Sequence, residues 1–139
     1  MKQIVYLLMM CMGFVMTTKA QNNADAIIGV WLTAPKDGKI EIYKEADHYF
    51  GKIVWGKETG RKDDKNPDIS LRNRDLMGTV ILKKFKFNGK DKWESGSIYD
   101  PNNGKTYSCN ITYKGKELAI RGYIGISLFG RTTTWTRAE

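Results

Sequence analysis

The polar stretch from Gly56 to Met77 gathers most of the side chains that could do chemistry: Arg61, Lys62, Asp63, Asp64, Asn66, Asp68, Arg72, Arg74 and Asp75. Within it, Asp64, Asn66, Asp68 and Asp75 stand at the first, third, fifth and twelfth positions of a calcium-type loop, where hard oxygen donors would ligate. The departures are serious. Ile69 replaces the turn glycine, Asp75 is shorter than a bidentate Glu, and Pro67 and the neighbouring Lys and Arg side chains oppose a cation. An Asx-Pro turn, with Asp68 and Asp75 pairing Arg72 or Arg74, accounts for the same residues without a metal. No metal or other cofactor is expected. His48 is the single histidine, so no histidine cluster can hold zinc. A Ser-His-Asp arrangement would have to use His48, which sits in an apparent hairpin turn. Asp64, Asp68 and Tyr99 are the acids and bases an enzyme would draw on, but no catalytic constellation is recognisable and the chain is not expected to be an enzyme.

The elements that must position these groups begin after an N-terminal leader. Lys2 precedes an uncharged run from Ile4 to Met16, and Thr18-Lys19-Ala20 then meets the polar Gln21-Asn22-Asn23. A basic start, a short apolar run and a small-residue cleavage site form the pattern of a secretory signal peptide, removed near Ala20. The run is too short for a bilayer span, which needs about 20 apolar residues. Cys11 lies behind Met9-Met10, not behind the small residues a lipid-attachment site requires. The sequence therefore implies residues 1–20 as signal peptide, a domain over 21–139, and an exported protein, periplasmic or secreted. The full chain carries +8; without Lys2 and Lys19 it carries +6. Cys109 is then the single cysteine. It alternates with Tyr107 and Ile111, as a small buried hydrophobe would.

Past Gln21 no convincing helix appears. Short alternating runs rich in aromatic and β-branched residues are separated by turn residues, the pattern of an all-β domain. The predicted strands are Ile27–Thr33, Lys39–Lys44, Tyr49–Trp55, Gly78–Phe87, Lys92–Tyr99, Lys105–Tyr113, Glu117–Tyr123 and Arg131–Arg137. Asn88-Gly89-Lys90-Asp91 is the strongest hairpin signal among their connections. Eight strands joined by short loops describe a meander whose two edges would be left unpaired unless it closes. A single eight-stranded antiparallel up-and-down barrel is expected, with room for packed side chains or one small ligand. The stretches Gly56–Met77 and Gly122–Gly130 interrupt the meander and form the expected working surface.

Gly29-Val30-Trp31 at the start and Trp135-Thr136-Arg137 at the end resemble the calycin group, the lipocalins and their relatives. The resemblance implies that Gly29, Trp31, Trp135 and Arg137 close the barrel, the guanidinium stacked on indole. A resemblance to the domain of unknown function 2147 family (DUF2147) covers nearly the whole domain. It runs through Ile28-Gly29-Val30-Trp31, Asn66-Pro67-Asp68, Leu71-Arg72-Asn73-Arg74, Gly78, Trp93–Pro101, Gly104-Lys105-Thr106-Tyr107, Arg121-Gly122-Tyr123 and Trp135-Thr136-Arg137. It implies an exported bacterial lipocalin-like barrel and brings no reaction, ligand or catalytic residue with it.

Fourteen aromatic residues lie beyond position 20, more than core packing alone requires. The leading expectation is a barrel that binds a small, partly apolar ligand, lipid-like or an anionic amphiphile. Arg72, Arg74, Arg121 and Tyr123 would orient its head group, and Tyr99 is a fifth candidate. The rival is a filled barrel whose loops bind an envelope protein or cell-wall glycan. Lys83-Lys84-Phe85-Lys86 reads as the solvent face of a strand. Nucleic acid is not an expected partner of an exported chain, whereas contact with an envelope surface is compatible with the basic excess. A monomer is expected.

Overall fold

The computed structural model describes residues 23–126 and 129–138. The leader predicted over 1–20 lies outside them. The strands are β1 (Gly29–Leu32), β2 (Gly38–Glu45), β3 (His48–Gly56), β4 (Val80–Phe87), β5 (Lys92–Asp100), β6 (Lys105–Tyr113), β7 (Glu117–Tyr123) and β8 (Gly130–Arg137). They pair antiparallel in sequence order and close into a barrel through β1 and β8, where Trp31 faces Arg137 and Leu32 faces Thr136. All eight expected strands are present, with ends shifted by a few residues.

The first and fourth strands each begin two residues later than expected. Ile27 was expected in the first strand, but Ala24–Ile27 is a 3-10 turn. Asn23 caps it by accepting a bond from the Asp25 N–H at 3.0 Å. This turn plugs one end of the barrel. The Trp31 indole donates to the Ile27 carbonyl at 2.9 Å, the Trp93 indole to the Ala24 carbonyl at 3.0 Å, and the Tyr49 hydroxyl to Asp25 at 2.6 Å. Buried indoles and phenols need partners, and here those partners fix the plug.

Above the plug, inward positions of the strands fill the lower barrel with Ile42, Tyr49, Phe85, Trp93, Ile111 and Leu118. The Trp93 ring packs on Phe87, Tyr49 and Tyr113. Cys109 is buried, and burial pushes its thiol up to about 12. The connections at the other end are residues 33–37, 57–79, 101–104 and the link from Tyr123 to Gly130. The longest, 57–79, is not slack. A bridge between Lys62 and Asp75 pairs its two arms, supported by bonds from the Asp63 N–H to Arg74 O and from the Leu76 N–H to Arg61 O, each 3.0 Å.

Candidate functional site

The upper barrel is hollow. A cavity of about 1270 Å³ opens between the four upper connections. It is larger than the roughly 300–1,000 Å³ usual for a small-molecule site. Its base is Ile40, Ile120 and Trp135, and its walls include Ile53, Trp55, Ile81 and Ile98 from β3, β4 and β5. Alternation explains this set: on each strand every second residue faces inward, and these strands carry Ile or Trp at those positions.

Polar groups enter the lining toward the mouth. Tyr99, Tyr107 and Tyr123 line it from β5, β6 and β7. The rim adds Asp37, Glu58, Asp75 and Asp100 against Lys57, Arg61 and Arg131. Lys62 neutralises Asp75 at 2.5 Å, and Arg61 donates to the Asn102 side chain at 2.6 Å. The rim is therefore close to charge balance, although the chain is strongly basic.

Behind this wall lies a polar group that no periodicity announces. Asp63 is fully buried. The Tyr99 hydroxyl donates to its Oδ1 at 2.5 Å, while Oδ2 accepts from Asn66 Nδ2 at 2.8 Å and from Arg74 Nε and Nη2 at 2.9 Å. Burial alone would raise the Asp63 pKa, but the bonds from Asn66, Tyr99 and Arg74, with the charge of Arg74, outweigh it and hold the carboxyl below its ordinary range. The same burial and the Asp63 bond push Tyr99 up to about 12. Its proton is thus committed to Asp63, far from the neutral range where acid-base groups work best. The long connection is pinned to the barrel here, and again where Lys65 meets the β5–β6 turn. Gly104 has φ +74, and a Cβ there would come within 1.9 Å of the Lys65 carbonyl oxygen, so only glycine fits.

The structure separates the expected site residues. Tyr99 and Tyr123 line the cavity. Arg72 and Arg74 do not. Arg72 Nε donates to the Asn66 carbonyl at 2.7 Å, and Arg74 holds Asp63. The expected pairing of Asp68 or Asp75 with those arginines is corrected: Asp75 takes Lys62, and Asp68 accepts from the Ser70 N–H and hydroxyl. Those Ser70 bonds hold the Asp68 carboxyl low. Asp75 meets Lys62 across the bridge between the loop's two arms and Asp68 caps the Ile69–Leu71 turn, while Arg72 and Arg74 are committed to the Asn66 carbonyl and Asp63. Arg121 sits between the lining positions 120 and 122 and donates to Thr132 on β8 at 3.0 Å. Of the calcium-type set, Asp64 is exposed and Asn66 is engaged with Asp63 and the Asp68 N–H. No group of three or more His, Cys, Asp or Glu side chains converges among the described residues.

The barrel-closing set is arranged as follows. The Arg137 guanidinium lies 4.2 Å from the Trp31 ring centre and donates to the Ile28 and Ala26 carbonyls at 3.3 and 3.0 Å. Gly29 has φ +137, and a Cβ there would stand 2.8 Å from Arg137 Nη1. Trp135 takes a different place, forming part of the cavity base. Arg131 and Asp63 were missed from the sequence. Counting back by twos from Trp135 would have put Arg131 on the inward face, whereas nothing in the loop's spacing marks Asp63.

With the Gly29–Trp31–Arg137 lock and the closed eight-stranded barrel in view, the comparisons are decisive for family. A family model described as "Uncharacterized protein conserved in bacteria (DUF2147)" matches residues 29–137. The chain belongs to the DUF2147 family. A solved structure described as protein HP1028 from Helicobacter pylori, belonging to the lipocalin family, superposes with a TM-score of 0.75 at 23% identity. The match covers 81% of this chain and 83% of that one. At that identity the likeness shows the fold that this DUF2147 member shares with a lipocalin. Among curated proteins no match was found.

Proposed function

We propose that this DUF2147 barrel is an exported, non-enzymatic binder of a single-chain, lipid-like amphiphile. The observation that carries the reading is the hollow upper barrel, with an aliphatic and aromatic base and a polar mouth. An apolar tail lowered onto Ile40, Ile120 and Trp135 would leave water, the dominant gain in such sites. Its head group would meet Tyr107, Tyr123, Lys57 and Arg131 at the rim. Because carboxylates and cations nearly balance there, a neutral or zwitterionic head group fits better than the anionic one that Arg72, Arg74 and Arg121 would have favoured. A filled-barrel interaction module would have no such cavity, and the open volume of the upper barrel favours the binder. Export is supported by the leader pattern of residues 1–20.

The test uses the neutral probe N-phenyl-1-naphthylamine, read by fluorescence, with displacement by amphiphiles of one chain length and different head groups. Gly122 supplies the control. A Cβ on it would stand 3.6 Å from Ile98 and Tyr107, so Gly122→Phe projects a ring into the cavity without a clash at its root. Wild type is expected to bind and Gly122→Phe to lose at least tenfold in affinity while keeping its Tm. Absence of probe binding together with a clean mass in native mass spectrometry of protein from its own cell envelope would overturn the reading. Equal binding by Gly122→Phe would do the same.

A further inference from the structure

We infer that Ile124, Ile126 and Phe129, on the described part of the connection between β7 and β8, form a membrane-docking tip, which seats the open end of the barrel on a lipid bilayer. This goes beyond ligand binding, because docking could occur with an empty cavity. From Gly122 to Gly130 the chain reads Gly-Tyr-Ile-Gly-Ile-Ser-Leu-Phe-Gly, nine residues without a charge, in a protein that is 27% charged. Ile124, Ile126 and Phe129 are 70%, 57% and 77% exposed, among the most exposed large hydrophobic residues described. Exposed apolar residues are ordinary when single; three in one short loop form a patch that asks for a partner. Met77, 53% exposed, lies across the same mouth in the long connection.

Two features select a bilayer as that partner. The first is charge. Arg121 and Arg131 bracket the apolar loop in sequence, and Arg131 stands at the rim with no ion-pair partner among the described residues. An apolar tip flanked by arginine, on a chain of net charge +6 without the leader's Lys2 and Lys19, is the arrangement by which interfacial segments insert side chains at the head-group boundary while cations meet anionic lipid. The second is continuity. Ile124 and Phe129 also line the cavity. The surface that would enter the bilayer therefore runs directly into the barrel, so an amphiphile could pass between them without crossing water.

The experiment is co-sedimentation of the protein with vesicles of phosphatidylcholine alone and of phosphatidylethanolamine with phosphatidylglycerol. The variant is Ile124→Ser/Ile126→Ser/Phe129→Ser, with Ile124→Leu/Ile126→Leu/Phe129→Leu as the conservative counterpart. Each side chain lost from the apolar phase should cost about tenfold in partitioning. The expected result is that wild type binds both vesicles, more strongly the anionic ones, and that the serine variant falls by roughly a thousandfold. The leucine variant should retain binding, and near-equal Tm values would show that all three proteins fold. Failure of wild type to bind either vesicle overturns the inference. So does undiminished binding by the folded serine variant, which would make the attraction purely electrostatic. A wild-type dimer in ultracentrifugation that the serine variant abolishes, without vesicle binding, would assign the patch to a second copy instead.

Discussion

Removing one oxygen from Tyr99 tests the internal logic of the barrel most directly. Tyr99→Phe keeps the ring, which packs in the cavity wall, and deletes the donor that reaches Asp63 Oδ1 at 2.5 Å. Asp63 is fully buried, so water cannot replace that donor without opening the loop. A hydrogen bond to a charged group contributes about 1.5–3 kcal/mol, and a stranded buried acceptor costs a similar amount. Asn66 and Arg74 still hold Oδ2. The charge is therefore not orphaned, and the loss stays below the roughly 3–5 kcal/mol of a broken buried pair. We expect about 2 kcal/mol in urea unfolding, or roughly 6–10 °C in Tm for a domain of this size. Because the bond pins the long connection to the barrel, proteolysis within residues 57–79 should quicken as local opening becomes easier. Tyr107→Phe is the control, since its hydroxyl only accepts an exposed bond from Asn103. It should cost less than about 0.5 kcal/mol. Equal small losses from the two variants would refute the idea that Asp63 anchors the connection through Tyr99.

Four further outcomes follow from the same geometry. Gly29→Ala forces a Cβ into a φ that favours glycine and against Arg137 Nη1, and should cost about 1–3 kcal/mol in urea unfolding. Arg137→Ala, losing the indole contact and two carbonyl bonds, should cost about 2 kcal/mol, and the double variant should cost less than the sum. The lowered Asp63 pKa sets the acid response. Its contribution to stability should be complete above the unfolded value of about 3.9 and disappear as pH falls through the lower folded value. Asp63→Asn should flatten that limb of the stability–pH curve measured by urea titrations. Finally, the Cys109 thiol, buried and pushed up to about 12, should resist a disulfide reagent in the native protein and react once urea unfolds it.

The sequence by itself determined the barrel. Strand alternation with a period of two, the Asn-Gly and Asp-Pro turns and the absence of helix-length periodicity leave few other folds, because those signals are local and each residue carries its own. Gly29, Trp31 and Arg137 were legible through the resemblance to the calycin group, whose physical sense is a cation sealing an indole. Tyr99 and Tyr123 line the cavity, although strict alternation from Ile98 and Ile120 would turn them outward; they stand at strand ends beside the connections expected to form the working surface. Only tertiary structure decided that the lower barrel is filled and the upper barrel hollow, since occupancy depends on how inward side chains from all eight strands share one volume. It also decided the fate of the loop charges. Arg74 and Asp63 are eleven residues apart in a segment without periodicity, and Tyr99 lies 36 residues beyond Asp63. Their meeting is set by where the closed sheet brings β5 beside the folded connection, a distance in space that no spacing in sequence records.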